Sequence, residues 1–176
     1  VISIACLLAA MNDMAAPSVS LEGKSLWVLQ SLPVPAWEVL KAKLNMQLVF
    51  TGIPMLVFLA CALPVLGLSP VLSLLAAAGS LLSVLLLALL GLTMGLKMPN
   101  LHWTSEITPI KQGGSVMFSL LGGWVYALLP GGAAMAFGRE LHPAVIPALF
   151  ALLTAALCAL LYAWLKKRGA KVFAAL

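Results

Sequence analysis

Charge is what this sequence has least of. Of 176 residues, 9% are charged and 63% hydrophobic, with five Asp and Glu, ten Lys and Arg and two His. A soluble domain carries about 25% charged residues. Too few polar side chains are present to build a water-facing surface, so a soluble globular fold is excluded. Cysteine is sparse as well. Cys6, Cys61 and Cys158 have no paired spacing, which excludes a disulfide framework and a thiolate metal set. They read as small packing residues. His102 and His142 stand alone, on opposite sides of the topology derived below, and cannot share a metal. No nucleotide site is present either. Gly23-Lys24-Ser25 matches the end of a phosphate-binding loop, but Ser18 occupies the position of the required first glycine. No strand precedes it.

What the sequence does have is four long apolar runs, at 46–68, 71–96, 115–136 and 144–165, none holding an Asp, Glu, Lys, Arg or His. Each is long enough to cross a hydrocarbon core, which takes about 20 helical residues. Backbone polar groups cannot go unpaired in lipid, so each run is expected to be a helix. The fold class is therefore all-α, a polytopic transmembrane helical bundle. Residues 1–10 are apolar but reach about half-way across a bilayer by the helical rise. They lack the basic region of a signal peptide and read as the end of a longer transmembrane helix, the alternative being a short surface-lying segment. The expected organisation is this partial helix, a cytoplasmic segment at 11–45, a four-helix region at 46–165 and a basic tail at 166–176.

The basic residues are placed unevenly. Lys24, Lys41 and Lys43 precede the first full span, Lys97 and Lys111 separate the second and third, and Lys166, Lys167, Arg168 and Lys171 follow the fourth. Only Arg139 falls on the other side. The positive-inside rule makes the nine-residue side cytoplasmic. The net charge of +5 is then a topology signal with attraction to anionic lipid, not a nucleic-acid footprint. Asp13, just past the first helix, reads as a solvated end.

Small residues mark packing faces. Gly91 and Gly95 are four apart in the second span, a spacing that lets helix backbones approach closely in lipid. Intrachain helix packing and a contact between copies are both open readings. Ala76, Gly79, Ser80 and Ser83 extend the same kind of face. Gly122-Gly123 and Pro130-Gly131-Gly132 are expected to interrupt the third span. Tyr162 and Trp164 read as an interfacial anchor.

The cytoplasmic segment is the most informative. Ser20 can cap a helix with Glu22 in its first turn, and Leu21, Val28, Leu29 and Leu32 form its apolar face. Pro33 stops that helix, and Pro35 can open a second. On the second, Trp37, Leu40 and Leu44 share a stripe, and Glu38 and Lys41 are spaced for an i,i+3 pair. Two short amphipathic helices are thus expected at the inner interface. In the second loop, Thr108-Pro109 would cap and start a helical lead-in to the third span.

Glu22-Gly23-Lys24, Trp27-Val28-Leu29, Ser31-Leu32-Pro33-Val34 and Ala42-Lys43-Leu44 together resemble the cytoplasmic segment of bacterial ABC-2-type exporter permeases. Pro99, Trp103, Glu106, Lys111 and Gln112 are similar to the family's short loop between two later spans. The resemblance covers roughly 18–116. It departs from the pattern at Leu21 and Gln30, where the family often has a basic residue. It implies a permease subunit in the bacterial inner membrane that forms a translocation path and is driven by a separate cytoplasmic ATPase. ATP and Mg would be held by that partner, and this chain would need no cofactor. Glu22, Gly23, Lys24, Trp27, Leu32 and Pro33 would belong to a coupling helix, with Trp27 and Glu22 exposed toward the ATPase. Trp103, Glu106, Lys111 and Gln112 would form a second cytoplasmic contact. A second permease copy is a further partner the resemblance allows. The alternatives are a secondary transporter or membrane-embedded enzyme whose ionisable site lies upstream of Val1, or a membrane assembly protein. The first two usually need ionisable groups inside the membrane, which the four runs lack.

Overall fold

The computed structural model describes residues 1–31, 33–101, 103, 110, 113–138 and 142–175, without the side chains of Lys24, Trp27, Leu29 and Gln30. The chain is all-helical, with no strand among the described residues. Its elements are α1 (Ile2–Met11), a 3₁₀ segment (Ser20–Ser25), α2 (Leu26–Ser31), α3 (Ala36–Leu66), α4 (Pro70–Lys97), α5 (Gly114–Phe137) and α6 (Val145–Trp164). A π-helical turn (Leu165–Gly169) then leads into α7 (Ala170–Ala175). Four helices are long and apolar enough to cross a membrane: Ala36–Leu66, Pro70–Lys97, Gly114–Phe137 and Val145–Ala175.

The ends of these helices follow from local chemistry. Gly67 ends α3 in the left-handed conformation, at φ 57°, which glycine adopts without a Cβ penalty. Ser69 then caps α4 by accepting the Leu72 N–H at 3.4 Å, with Pro70 in the first turn. The expected second amphipathic helix is not a separate piece. Backbone hydrogen bonding runs on from Ala36 into the first span, making one helix of 31 residues. Its apolar stripe is as expected, with Leu40 and Leu44 buried and Glu38 paired to Lys41 at 3.9 Å. Trp37 packs edge-to-face on Tyr162, with centroids 5.3 Å apart.

One further expectation is corrected. The third span is not interrupted: α5 runs through Gly122-Gly123 and Pro130 to Phe137. Gly123 is where α1 presses closest, since a Cβ there would lie 2.8 Å from the Ala10 methyl. The basic tail is also helical. Leu165, Gly169 and Phe173 turn inward, while Lys166, Lys167, Arg168 and Lys171 stay exposed.

α1 lies within the bundle, not on its surface. Ala5, Cys6, Ala9 and Ala10 are buried against α4 and α5. α1 runs parallel to α4, for Ile2 meets Gly79 and Asp13 meets Gly91. Midway, a chain of neutral polar groups joins four helices. Cys6 Sγ–H donates to Ser83 Oγ at 3.2 Å, Ser83 and Tyr126 hydroxyls are 3.0 Å apart, and Tyr126 and Thr154 hydroxyls 2.7 Å. Cys6 and Cys158 are buried packing residues, whereas Cys61 is exposed on the outer face of α3. Lys97 sits over the Trp164 ring at 5.3 Å, so the ends of α4 and α6 meet at one basic end of the bundle.

Candidate functional site at the basic end

Three spans carry a pair of small or polar residues one helical turn apart near the basic end: Gln47 and Thr51 on α3, Gly91 and Gly95 on α4, Ser115 and Ser119 on α5. All six are buried. Between them lies segment 12–20, which leaves α1 and folds inward. Met14 N–H donates to Gln47 Oε1 at 2.8 Å, and Gln47 Nε2 donates to the Asn12 carbonyl and to Thr51 Oγ1. Asn12 Nδ2 reaches the Phe50 carbonyl at 3.4 Å. That carbonyl is free because Pro54, four residues on, has no N–H to give it. Gly91 and Gly95 thus meet this segment first, not another helix. A Cβ on Gly91 would fall 2.4 Å from Asp13 Oδ1, and one on Gly95 2.5 Å from the Ala16 carbonyl oxygen.

Asp13 is consequently not a solvated end. Its carboxyl is half-buried flush against α4, roughly 9 Å along that helix from Lys97 by the helical rise. Ala16 N–H donates to Oδ1 at 3.1 Å, and the Ser119 hydroxyl donates to Oδ2. Burial pushes this carboxyl above the ordinary aspartate range, against the opposing effect of the Ser119 hydroxyl and the Ala15 and Ala16 amides.

Below this cluster the two loops of the basic end join. The Asn100 N–H donates to Ser20 Oγ at 3.0 Å, and the Trp103 indole N–H donates to the Ser20 carbonyl at 2.6 Å. Gly23, at φ 38°, brings its backbone so close to Trp103 that a Cβ would lie 2.8 Å from the indole nitrogen. The expected single helix from Ser20 is instead a 3₁₀ segment kinked at Gly23, followed by α2 from Leu26. Ser20 spends its hydroxyl on Asn100, not on a helix cap. Glu22 is not exposed. It is ion-paired with Lys43 of α3, both side chains largely buried, and Lys43 also donates to the Ser18 carbonyl at 2.9 Å. The second Glu22 oxygen is buried with no hydrogen-bond donor among the described residues.

The structure thus brings Glu22, Gly23 and Trp103 together and places Gly91 and Gly95 just above them. Pro33 lies in the exposed bend before α3. Leu32, His102, Glu106, Thr108, Pro109, Lys111, Gln112 and Arg139 lie outside the described residues, as do the Lys24 and Trp27 side chains. At the opposite end, a cavity of about 480 Å³ is lined by Ser3, Ala76, Pro130, Gly131 and Ile146 among others. No family model, curated protein or solved structure matches this chain. Function therefore rests on the site itself. Among the described residues no group of three His, Cys, Asp or Glu could hold a metal ion.

Sequence reading missed Asp13, Lys43, Gln47, Thr51 and Ser119. A signal was present for four of them. Polar pairs at i,i+4 within otherwise apolar spans seek a polar partner. A lone Asp followed by Met14-Ala15-Ala16-Pro17 can supply one.

Proposed function

We propose that this chain is a membrane-spanning permease subunit of an ATP-driven exporter resembling the ABC-2 type. It would form part of a translocation path and take its energy from a separate cytoplasmic ATPase that holds ATP and Mg. The observation that carries this reading is the junction at the basic end. Segment 20–31 is fixed to the second loop through Trp103 and to the first span through Lys43. A surface element joined rigidly to a span can pass a partner's motion into the bundle. The exposed Leu21 and Val28, with Val34 just beyond, give that element an apolar outer face. In this reading the basic end is cytoplasmic, in a bacterial inner membrane.

Trp27→Ala is expected to reduce recovery of a co-expressed ABC ATPase by over tenfold, since truncating an interface anchor takes away about 2 kcal/mol or more. Co-purification at matched membrane levels measures it. Undiminished recovery with undiminished export would return Trp27 to the role of a lipid anchor. For sidedness, cysteines replacing Lys97 and Lys167 are expected to resist a membrane-impermeant thiol reagent in intact cells, while one replacing Arg139 reacts. Equal labelling at Lys97 and Arg139 would sink the four-span topology.

One observation favours a second reading, a secondary transporter. Asp13 puts an ionisable group among the spans, where such transporters keep theirs.

A further inference from the structure

Among the described residues, Asp13 is the one acidic side chain with no basic partner, for Glu22 has Lys43 and Glu38 has Lys41. No element packed around it offers a free compensating charge among the described residues. On α4, Lys97 is engaged over Trp164. On α3, Lys43 is held by Glu22 and the Ser18 carbonyl. On α5 the facing groups are the neutral Ser115 and Ser119, with Tyr126 further along and committed to Ser83 and Thr154. On α1 the only titratable side chain is Cys6, bonded to Ser83. An ionised carboxylate here would have one hydroxyl and the neighbouring amides as donors, in a setting that excludes water on the Gly91 side. Isolated charge is costly there, and such a group resolves the conflict by taking a proton.

We propose that Asp13 is a proton-binding site: its neutral carboxyl docks segment 12–20 against α4 and α5, and transfer of its proton to water releases that segment. The neutral acid keeps every contact the structure records. One oxygen accepts the Ala16 N–H, and the other shares a proton with the Ser119 hydroxyl. No co-reactant is needed, because the exchange is between carboxylic acid and carboxylate plus a solvated proton. Release would carry the junction with it, since Ser20 and Glu22 sit at the end of the same segment. The sign follows from linkage. A carboxyl held above its free value stabilises docking fully below the ordinary aspartate range, and that contribution is lost as pH rises through the raised value. The proposal does not depend on an ATPase partner.

The test is an infrared titration of the full chain in bilayers. The chain has only five acidic residues, so the C=O stretch of a protonated Asp13 can be assigned by its loss in Asp13→Asn. The expected result is a protonated band that persists well above the free aspartate value of about 3.9 and is absent in Asp13→Asn. Ser119→Ala keeps the carboxyl and takes away a hydrogen bond that favours the charged form, so its midpoint is expected to move up. It also serves if Asp13→Asn fails to fold. Amides of segment 14–18 are expected to exchange over tenfold more slowly in Asp13→Asn than in the native chain at a pH above the midpoint. A band that vanishes in the ordinary aspartate range, an unmoved midpoint in Ser119→Ala, or equal exchange at every pH would each overturn the proposal.

Discussion

Gly95→Leu is expected to unfold the basic end of the bundle, while Gly52→Leu on α3 leaves it intact. A Cβ on Gly95 would lie 2.5 Å from the backbone carbonyl oxygen of Ala16, whereas one on Gly52 meets nothing within 4 Å. A backbone carbonyl cannot rotate aside as a side-chain tip can. The whole of segment 12–20 must therefore shift, and its bonds to Gln47, Thr51 and Ser115 shift with it. Overpacking of this kind destabilises by about 1–3 kcal/mol, occasionally more, and a branched side chain sits at the upper end. Even Gly95→Ala should destabilise, against a gain of about 0.5–1 kcal/mol for Gly→Ala at an open helical site such as Gly52. Gly91→Ala should be milder than Gly95→Ala, because its obstacle is the Asp13 carboxyl, which can swing away. Unfolding midpoints in denaturing detergent measure all four variants. Equal midpoints for Gly95→Leu and Gly52→Leu would mean that segment 12–20 does not pack on α4.

The spans were legible because the signals that bound them act locally. The apolar run at 71–96 became Pro70–Lys97 and that at 115–136 became Gly114–Phe137, each ended by proline, glycine or a charge. The first span began ten residues earlier than its apolar run, at Ala36. Hydropathy stops at Lys43, but intrahelical hydrogen bonding does not, and Pro35 sets where it can begin. The third span departs from expectation for a related reason. Gly122-Gly123 weaken a helix in water, yet in a bundle Gly123 admits Ala10 of a neighbour.

The site was less legible, because the contacts that assemble it join residues far apart in sequence. Asp13 meets Ser119, Gln47 reaches back to Asn12 and Met14, and Trp103 to Ser20. Read alone, Asp13 after a short helix looks hydrated. Its burial depends on glycines at 91 and 95 leaving a slot that no single window of sequence displays. From sequence, Glu22 and Trp103 are expected in two separate contacts with a partner. In the structure both are turned toward the chain itself, leaving Leu21, Val28 and Val34 as the outward face of that segment.

Glu22→Lys is expected to undock the junction, and the double change Glu22→Lys with Lys43→Glu to restore much of it. The native pair is largely buried, with side-chain exposures of 19% for Glu22 and 14% for Lys43. Removing one partner of a buried pair destabilises by about 3–5 kcal/mol, chiefly because the other charge is left uncompensated. Glu22→Lys goes further by placing a second ammonium beside Lys43, where the Ser18 carbonyl is the acceptor that remains. The loss should concentrate locally. Trp103 would become accessible to a water-soluble fluorescence quencher as Ser20 moves away, while the Tyr126 network in mid-bundle stays protected. The swapped pair recreates the attraction with its polarity reversed, although it cannot reproduce the Lys43 bond to the Ser18 carbonyl. Recovery should therefore be substantial but incomplete. Quenching of Trp103, in a chain whose other tryptophans are replaced by phenylalanine, reads the docking directly. If Glu22→Lys leaves Trp103 as protected as in the native chain, the ion pair does not hold the junction, and the rigid link from the basic surface to α3 fails with it.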